Sequence, residues 1–135
     1  MKHFWIVALA LSLTFTACAA TPEQQALSLT ATDIKFDQTQ FTVTANQPVK
    51  LTYTNTGQLT HDFSILKIAV TEVSDEGDHA HSMTGMTETP DLHIAVEAGG
   101  VAVLYFTPTA SGTYEFVCTV EGHKEAGMVG QLVVK

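Results

Sequence analysis

FTVTANQPVKLTYT, residues 41–54, decides the fold. Phe41, Val43 and Ala45 alternate with Thr42 and Thr44, and after the turn formers Asn46, Gln47 and Pro48 the apolar Val49, Leu51 and Tyr53 alternate with Lys50, Thr52 and Thr54. A period of two, carried by β-branched and aromatic side chains, predicts half-buried antiparallel strands on either side of a turn. Outward from this stretch, further strands are predicted at 27–36, 62–70, 93–96, 101–107, 112–118 and 129–134. Gly99-Gly100 and residues 108–112 mark turns between some of them. Roughly eight short strands with no long amphipathic helix predict an all-β chain folded as a two-sheet Greek-key sandwich.

The first residues stand apart from this pattern. MKHFWIVALALSLTFTACAA has a short basic start, an apolar run and then small residues, the layout of a secretory signal whose apolar core is short for a membrane span. Phe15-Thr16-Ala17-Cys18 resembles a bacterial lipobox, in which the cysteine is lipidated and becomes the mature N-terminus, while Ala17-Cys18-Ala19 also fits ordinary cleavage. Either reading exports the protein. The expected organisation is therefore a signal peptide at 1–17, a lipidated N-terminus and spacer at 18–25, and one domain at 26–135.

Export makes the cysteine count informative. With Cys18 in the anchor or the discarded signal, Cys118 has no disulfide partner, and a lone thiol in an oxidising compartment needs burial or a metal bond. The chain has six basic residues, all Lys, against 14 acidic ones, and its net charge of −8 drops by one more when Lys2 leaves. Such a surface argues against nucleic acid and points to cationic partner surfaces.

Two segments carry soft metal ligands. CTVEGHKEAGM, residues 118–128, holds Cys118, His123 and Met128, and Gly122 and Gly127 precede the last two and let the backbone turn sharply between donors. A fourth ligand must come from elsewhere, and His61 in NTGQLTHDF, just after a Gly-containing turn, is the candidate. Two imidazoles, a thiolate and a weak thioether suit copper cycling between Cu(I) and Cu(II). Zinc also accepts one cysteine and two histidines, although a thioether is a poor zinc ligand. A Cys/His nucleophilic pair is the enzymatic alternative, but no oxyanion hole or orienting partner for it is recognisable, so no enzyme is expected. The second segment, residues 71–90, has five acids and few bulky apolar groups and reads as a long surface insertion. Its HAHSMTGM stretch raises a second, labile copper site built from His79, His81, Met83 and Met86, beside the plainer reading of a solvated loop. His93 reads as structural.

His61 in THDF, the spacing C-x4-H-x4-M at Cys118, His123 and Met128, the preceding GTYEFVC and the following VGQLVV together resemble the cupredoxin, or blue-copper, family of plastocyanin, azurin and auracyanin, over about residues 26–135. The resemblance implies one type 1 copper per chain, with His61, Cys118 and His123 as equatorial ligands and Met128 as the long axial one. It implies a partly exposed His123 as the route for electrons. It also implies a monomeric carrier of single electrons between redox proteins of the cytochrome or membrane oxidoreductase class, in the periplasm or outside the cell, free or lipid-anchored at a membrane. Where family members often place Asn or Ser after the first histidine, this chain has Asp62, and a pairing with Thr119 is expected. The alternative function is copper binding and delivery, with the HAHSMTGM segment helping to load or pass the metal.

Overall fold

In a computed structural model, residues 23–77 and 88–135 are described. They form ten strands: β1 Gln25–Thr32, β2 Lys35–Phe36, β3 Gln40–Val43, β4 Val49–Asn55, β5 His61–Ile65, β6 Val70–Gly77, β7 Leu92–Val96, β8 Val101–Pro108, β9 Gly112–Val117 and β10 Val129–Val134. One sheet runs β2-β1-β4-β8-β6 and the other β3-β10-β9-β5-β7. From β2 to β9 each successive strand crosses to the other sheet, the connectivity of a Greek-key sandwich, while β1–β2 and β9–β10 are neighbours within one sheet. The alternation read at 49–54 is realised in β4: Val49, Leu51, Tyr53 and Asn55 are buried while Lys50, Thr52 and Thr54 are less so. Two pairings are parallel, β1 with β4 and β3 with β10, and the others are antiparallel.

Three boundaries differ from the expectation. The run at 27–36 is broken at Asp33 and Ile34, where Ile34 takes φ +54° in the tight turn that folds β2 back on β1. The run at 62–70 ends at Ile65, and Val70 already belongs to β6. The third is a correction. Residues 71–77, expected in an irregular insertion, form most of β6, paired with β8 from Thr71 opposite Thr107 to Gly77 opposite Ala102. The residues of β6 after Val70 are all exposed, and polar, charged side chains suit such an edge strand because they discourage pairing with another chain. The register shifts between Thr71 and Ser74, where Glu72 adopts φ +55°, a bulge that bends the edge. His79, His81, Met83 and Met86 lie outside the described residues, as do Cys18 and the segment read as a signal. Among the described residues no helix is long and apolar enough to cross a membrane.

The core between the sheets centres on Phe116, whose ring lies 5.1 Å from Phe63, 5.5 Å from Phe36 and 5.8 Å from Phe41. Phe116 stands opposite Gly130 in the β9–β10 ladder, and a Cβ on Gly130 would sit 2.1 Å from the Phe116 ring. The ring therefore occupies the space above the glycine. In a close-packed interior a methyl group there forces the ring out of its rotamer. Gly130→Ala is expected to cost at least about 2 kcal/mol of unfolding free energy, and chemical denaturation of the metal-free protein checks it; an unchanged midpoint would contradict this packing.

Candidate metal centre

The site forms at one end of the sandwich, where β5 begins and β9 ends. Backbone pairing sets its frame: His61 pairs with Val96 of β7, and β5 meets β9 at Ser64 opposite Val117. Asn55, fully buried at the end of β4, prepares the approach to His61. Its side-chain amide donates to the carbonyls of Leu59 (2.7 Å) and Val96 (2.9 Å), and its oxygen accepts from the Gly57 N–H (2.9 Å). These bonds close the turn that carries the chain into β5 and fix the backbone on which His61 sits.

The loop from Cys118 to Met128 is a chain of tight turns. The His123 N–H donates to the Val120 carbonyl, the Met128 N–H to the His123 carbonyl and the Cys118 N–H to the Met128 carbonyl, all at 3.0–3.1 Å. Gly122 and Gly127 adopt φ +80° and +98°, left-handed conformations that favour glycine. The loop thus returns on itself, and Met128 is bonded through its backbone to both Cys118 and His123 while its side chain is fully buried.

The three strongest candidates converge. The Cys118 sulfur lies 3.8 Å from His61 Nδ1 and 3.4 Å from His123 Nδ1, and all three donor atoms fall within 4.8 Å of one another. Both imidazoles present the same nitrogen to the sulfur, with ring centroids 4.9 Å apart. His123, expected to be partly exposed, is buried at 5% exposure, though it keeps more access than the fully buried His61. His61 Nε2 has no hydrogen-bond partner among the described residues.

Asp62 joins the two ligand-bearing segments. Its carboxylate accepts from the Thr119 N–H (2.8 Å), the Thr119 hydroxyl (2.5 Å) and the Ser64 hydroxyl (3.2 Å), and its own N–H points at the Cys118 sulfur at 3.5 Å. The expected pairing of Asp62 with Thr119 is present. Ser64 is also bonded to His93 Nδ1 at 2.8 Å, which gives that histidine a place in the framework. Sequence reading missed Asn55 and Ser64, whose signal is a polar residue at a core position of a strand and whose partners are distant in the chain.

The electrostatics favour a metal. Burial first, and then the neighbouring His123, lowers the His61 pKa, so its imidazole is neutral and able to coordinate. Burial pushes the Cys118 thiol up to about 11, opposed by the Asp62 N–H and reinforced by the Asp62 charge. Two imidazoles facing one dry thiol fit a copper ion, whose charge would replace the thiol proton, and the soft sulfur among nitrogens fits both oxidation states.

A model of the cupredoxin-like domain matches residues 5–134. The chain is 31% identical over 111 residues to auracyanin-A of Chloroflexus aurantiacus, covering 76% of this chain and 68% of that protein. It is 32% identical over 108 residues to the copper-resistant cuproprotein CopI of Rubrivivax gelatinosus, covering 76% of this chain and 61% of that longer protein, so it spans less than two thirds of that relative. A reduced auracyanin from Roseiflexus castenholzii shares the fold, with a TM-score of 0.65 over 82% of this chain and 97% of that one at 23% identity.

A sealed, protonated thiol should react slowly. In the metal-free native protein, alkylation of Cys118 at pH 8 is expected to run at least about a hundredfold slower than in the unfolded chain, since roughly two pKa units separate the two thiols. Comparable rates would contradict the described burial.

Proposed function

The chain belongs to the cupredoxin-like family and binds copper, and from that premise we propose that it is an exported type 1 copper protein carrying single electrons between redox partners. The observation that carries this reading is the buried convergence of His61, Cys118 and His123 on one point, held by the start of β5 and by the hydrogen-bonded turns of the 118–128 loop. Bound copper supplies a one-electron couple between Cu(II) and Cu(I). The chain's own residues supply the rest. His61 is immobilised by its place in β5, Cys118 by its bonds to Met128 and Asp62, and His123 by the turn it closes with Val120. Met128, tied to both, is the residue we assign as the axial thioether. Ligands that cannot relax much between oxidation states leave little reorganisation for an electron to wait for.

The surface around this end supports a carrier. Leu59 is exposed in the turn before His61; Ile34 is exposed in the β1–β2 turn, which Asp33 ties to that turn by accepting from the Gln58 N–H at 2.9 Å; and exposed Val101 follows Gly100, which is bonded to Asn55. Three apolar side chains thus share the end of the sandwich that holds the imidazoles, a surface suited to brief docking with a redox protein. The secretory layout of residues 1–20 supports export.

A second reading, copper binding for tolerance or delivery, is favoured by the name of the CopI relative at 32% identity. The two readings differ in what happens to the metal on reduction. We expect the Cu(II)-loaded domain to show an intense thiolate-to-copper band in the visible that Cys118→Ser abolishes, and to keep its copper through repeated reduction and reoxidation beside a competing chelator. Loss of copper to the chelator on the first reduction would favour delivery, and a band that survives Cys118→Ser would place the metal elsewhere.

A further inference from the structure

Asp62 is 1% exposed, yet its carboxylate meets three neutral donors: the Thr119 N–H, the Thr119 hydroxyl and the Ser64 hydroxyl. The Thr119 N–H can only donate and the two hydroxyls are free to donate as well, so both carboxylate oxygens have acceptor positions to fill. A buried charge is costly when its partners are neutral. The bonds alone do not require it. An asparagine at this position would accept the Thr119 N–H through its oxygen and donate its amide to the Thr119 oxygen, preserving the link between the segments that bear His61 and Cys118. The formal charge is therefore additional to the structural tie; it sits on the residue after His61 and is bonded to Thr119, the residue after Cys118, with the Asp62 N–H itself 3.5 Å from the Cys118 sulfur.

Building on the copper reading above, we propose that Asp62 is a positioning residue that also sets the redox preference of the centre: its buried negative charge stabilises the more highly charged Cu(II) over Cu(I) and holds the reduction potential down. The reasoning is electrostatic. A fixed anion inside a low-dielectric wall interacts more strongly with a doubly charged ion than with a singly charged one, and water cannot screen it at 1% exposure. The hydrogen bonds that orient the carboxylate also prevent it from turning away. A centre biased this way passes electrons on readily and binds the oxidised metal tightly.

The test compares copper-loaded wild type with Asp62→Asn, Asp62→Ser and Thr119→Val. Competition with chelators selective for each oxidation state gives the ratio of Cu(I) to Cu(II) affinity, a redox titration gives the potential, and thermal unfolding of the metal-free forms reports the structural tie. Asp62→Asn is expected to raise the ratio at least about tenfold, equivalent to about 59 mV in potential for one electron, while the metal-free protein melts close to wild type. Asp62→Ser, also neutral, is expected to move the ratio the same way, so the inference survives a failure of the asparagine variant to fold. Thr119→Val, which removes one bond and keeps the charge, is expected to change the ratio less than about threefold. A ratio within twofold of wild type in both neutral variants, or an equal shift in Thr119→Val, overturns the inference and leaves the copper reading standing. A wild type without a thiolate-to-copper band overturns both.

Discussion

Thr119 hangs from the Asp62 carboxylate by two hydrogen bonds, and the rest of the metal centre depends on that link. His61 and Cys118 are 57 positions apart in the chain, and nothing local brings them together. Sheet pairing does part of the task, but β5 and β9 meet at Ser64 opposite Val117 just where the ligand loop departs. Beyond that point the Asp62–Thr119 pair takes over from the backbone ladder. Hydrogen bonds to a charged group contribute about 1.5–3 kcal/mol each, and these two join the segments that carry His61 and Cys118. The same carboxylate sits on the residue that follows His61, so one side chain fixes both sides of the site.

This arrangement explains the chemistry of the donors. Burial keeps the His61 imidazole neutral and keeps the proton on Cys118 in the absence of metal, with the thiol raised from 9.0 to about 11. A shift of that size means about 3 kcal/mol that coordination must offset to form the thiolate. A copper ion meets the demand because thiolate is its preferred soft donor, whereas a solvent cation does not. The apolar residues Ile34, Leu59 and Val101 lie exposed at the same end, the face that the proposed carrier would offer a partner, while the acidic strand β6 closes the far edge of the other sheet.

Much of this was legible in the sequence because the informative features were local. Period-two alternation at residues 41–54 survives folding since each strand buries one face, and the spacing of Cys118, His123 and Met128 is a property of one loop. His61 was legible from its place after a turn. Strand β6 was not, because its residues after Val70 are all exposed, so it carries no hydrophobic face and reads as a solvated loop. The break at Ile34 was hidden for the opposite reason: a β-branched residue in a left-handed turn runs against local preference. The network of Asn55, Ser64 and His93 was out of reach because its partners lie up to 41 positions apart and meet only in the folded sandwich.

The central claim is that the protein itself, and not the metal, builds the site. Crystal structures of the metal-free, Cu(II) and Cu(I) forms test it most directly. The account predicts that His61 Nδ1, Cys118 Sγ and His123 Nδ1 occupy the same positions to within about 0.5 Å in all three. A ligand loop that swings His123 or Met128 away from Cys118 by several times that distance when copper leaves, or when it is reduced, would contradict it.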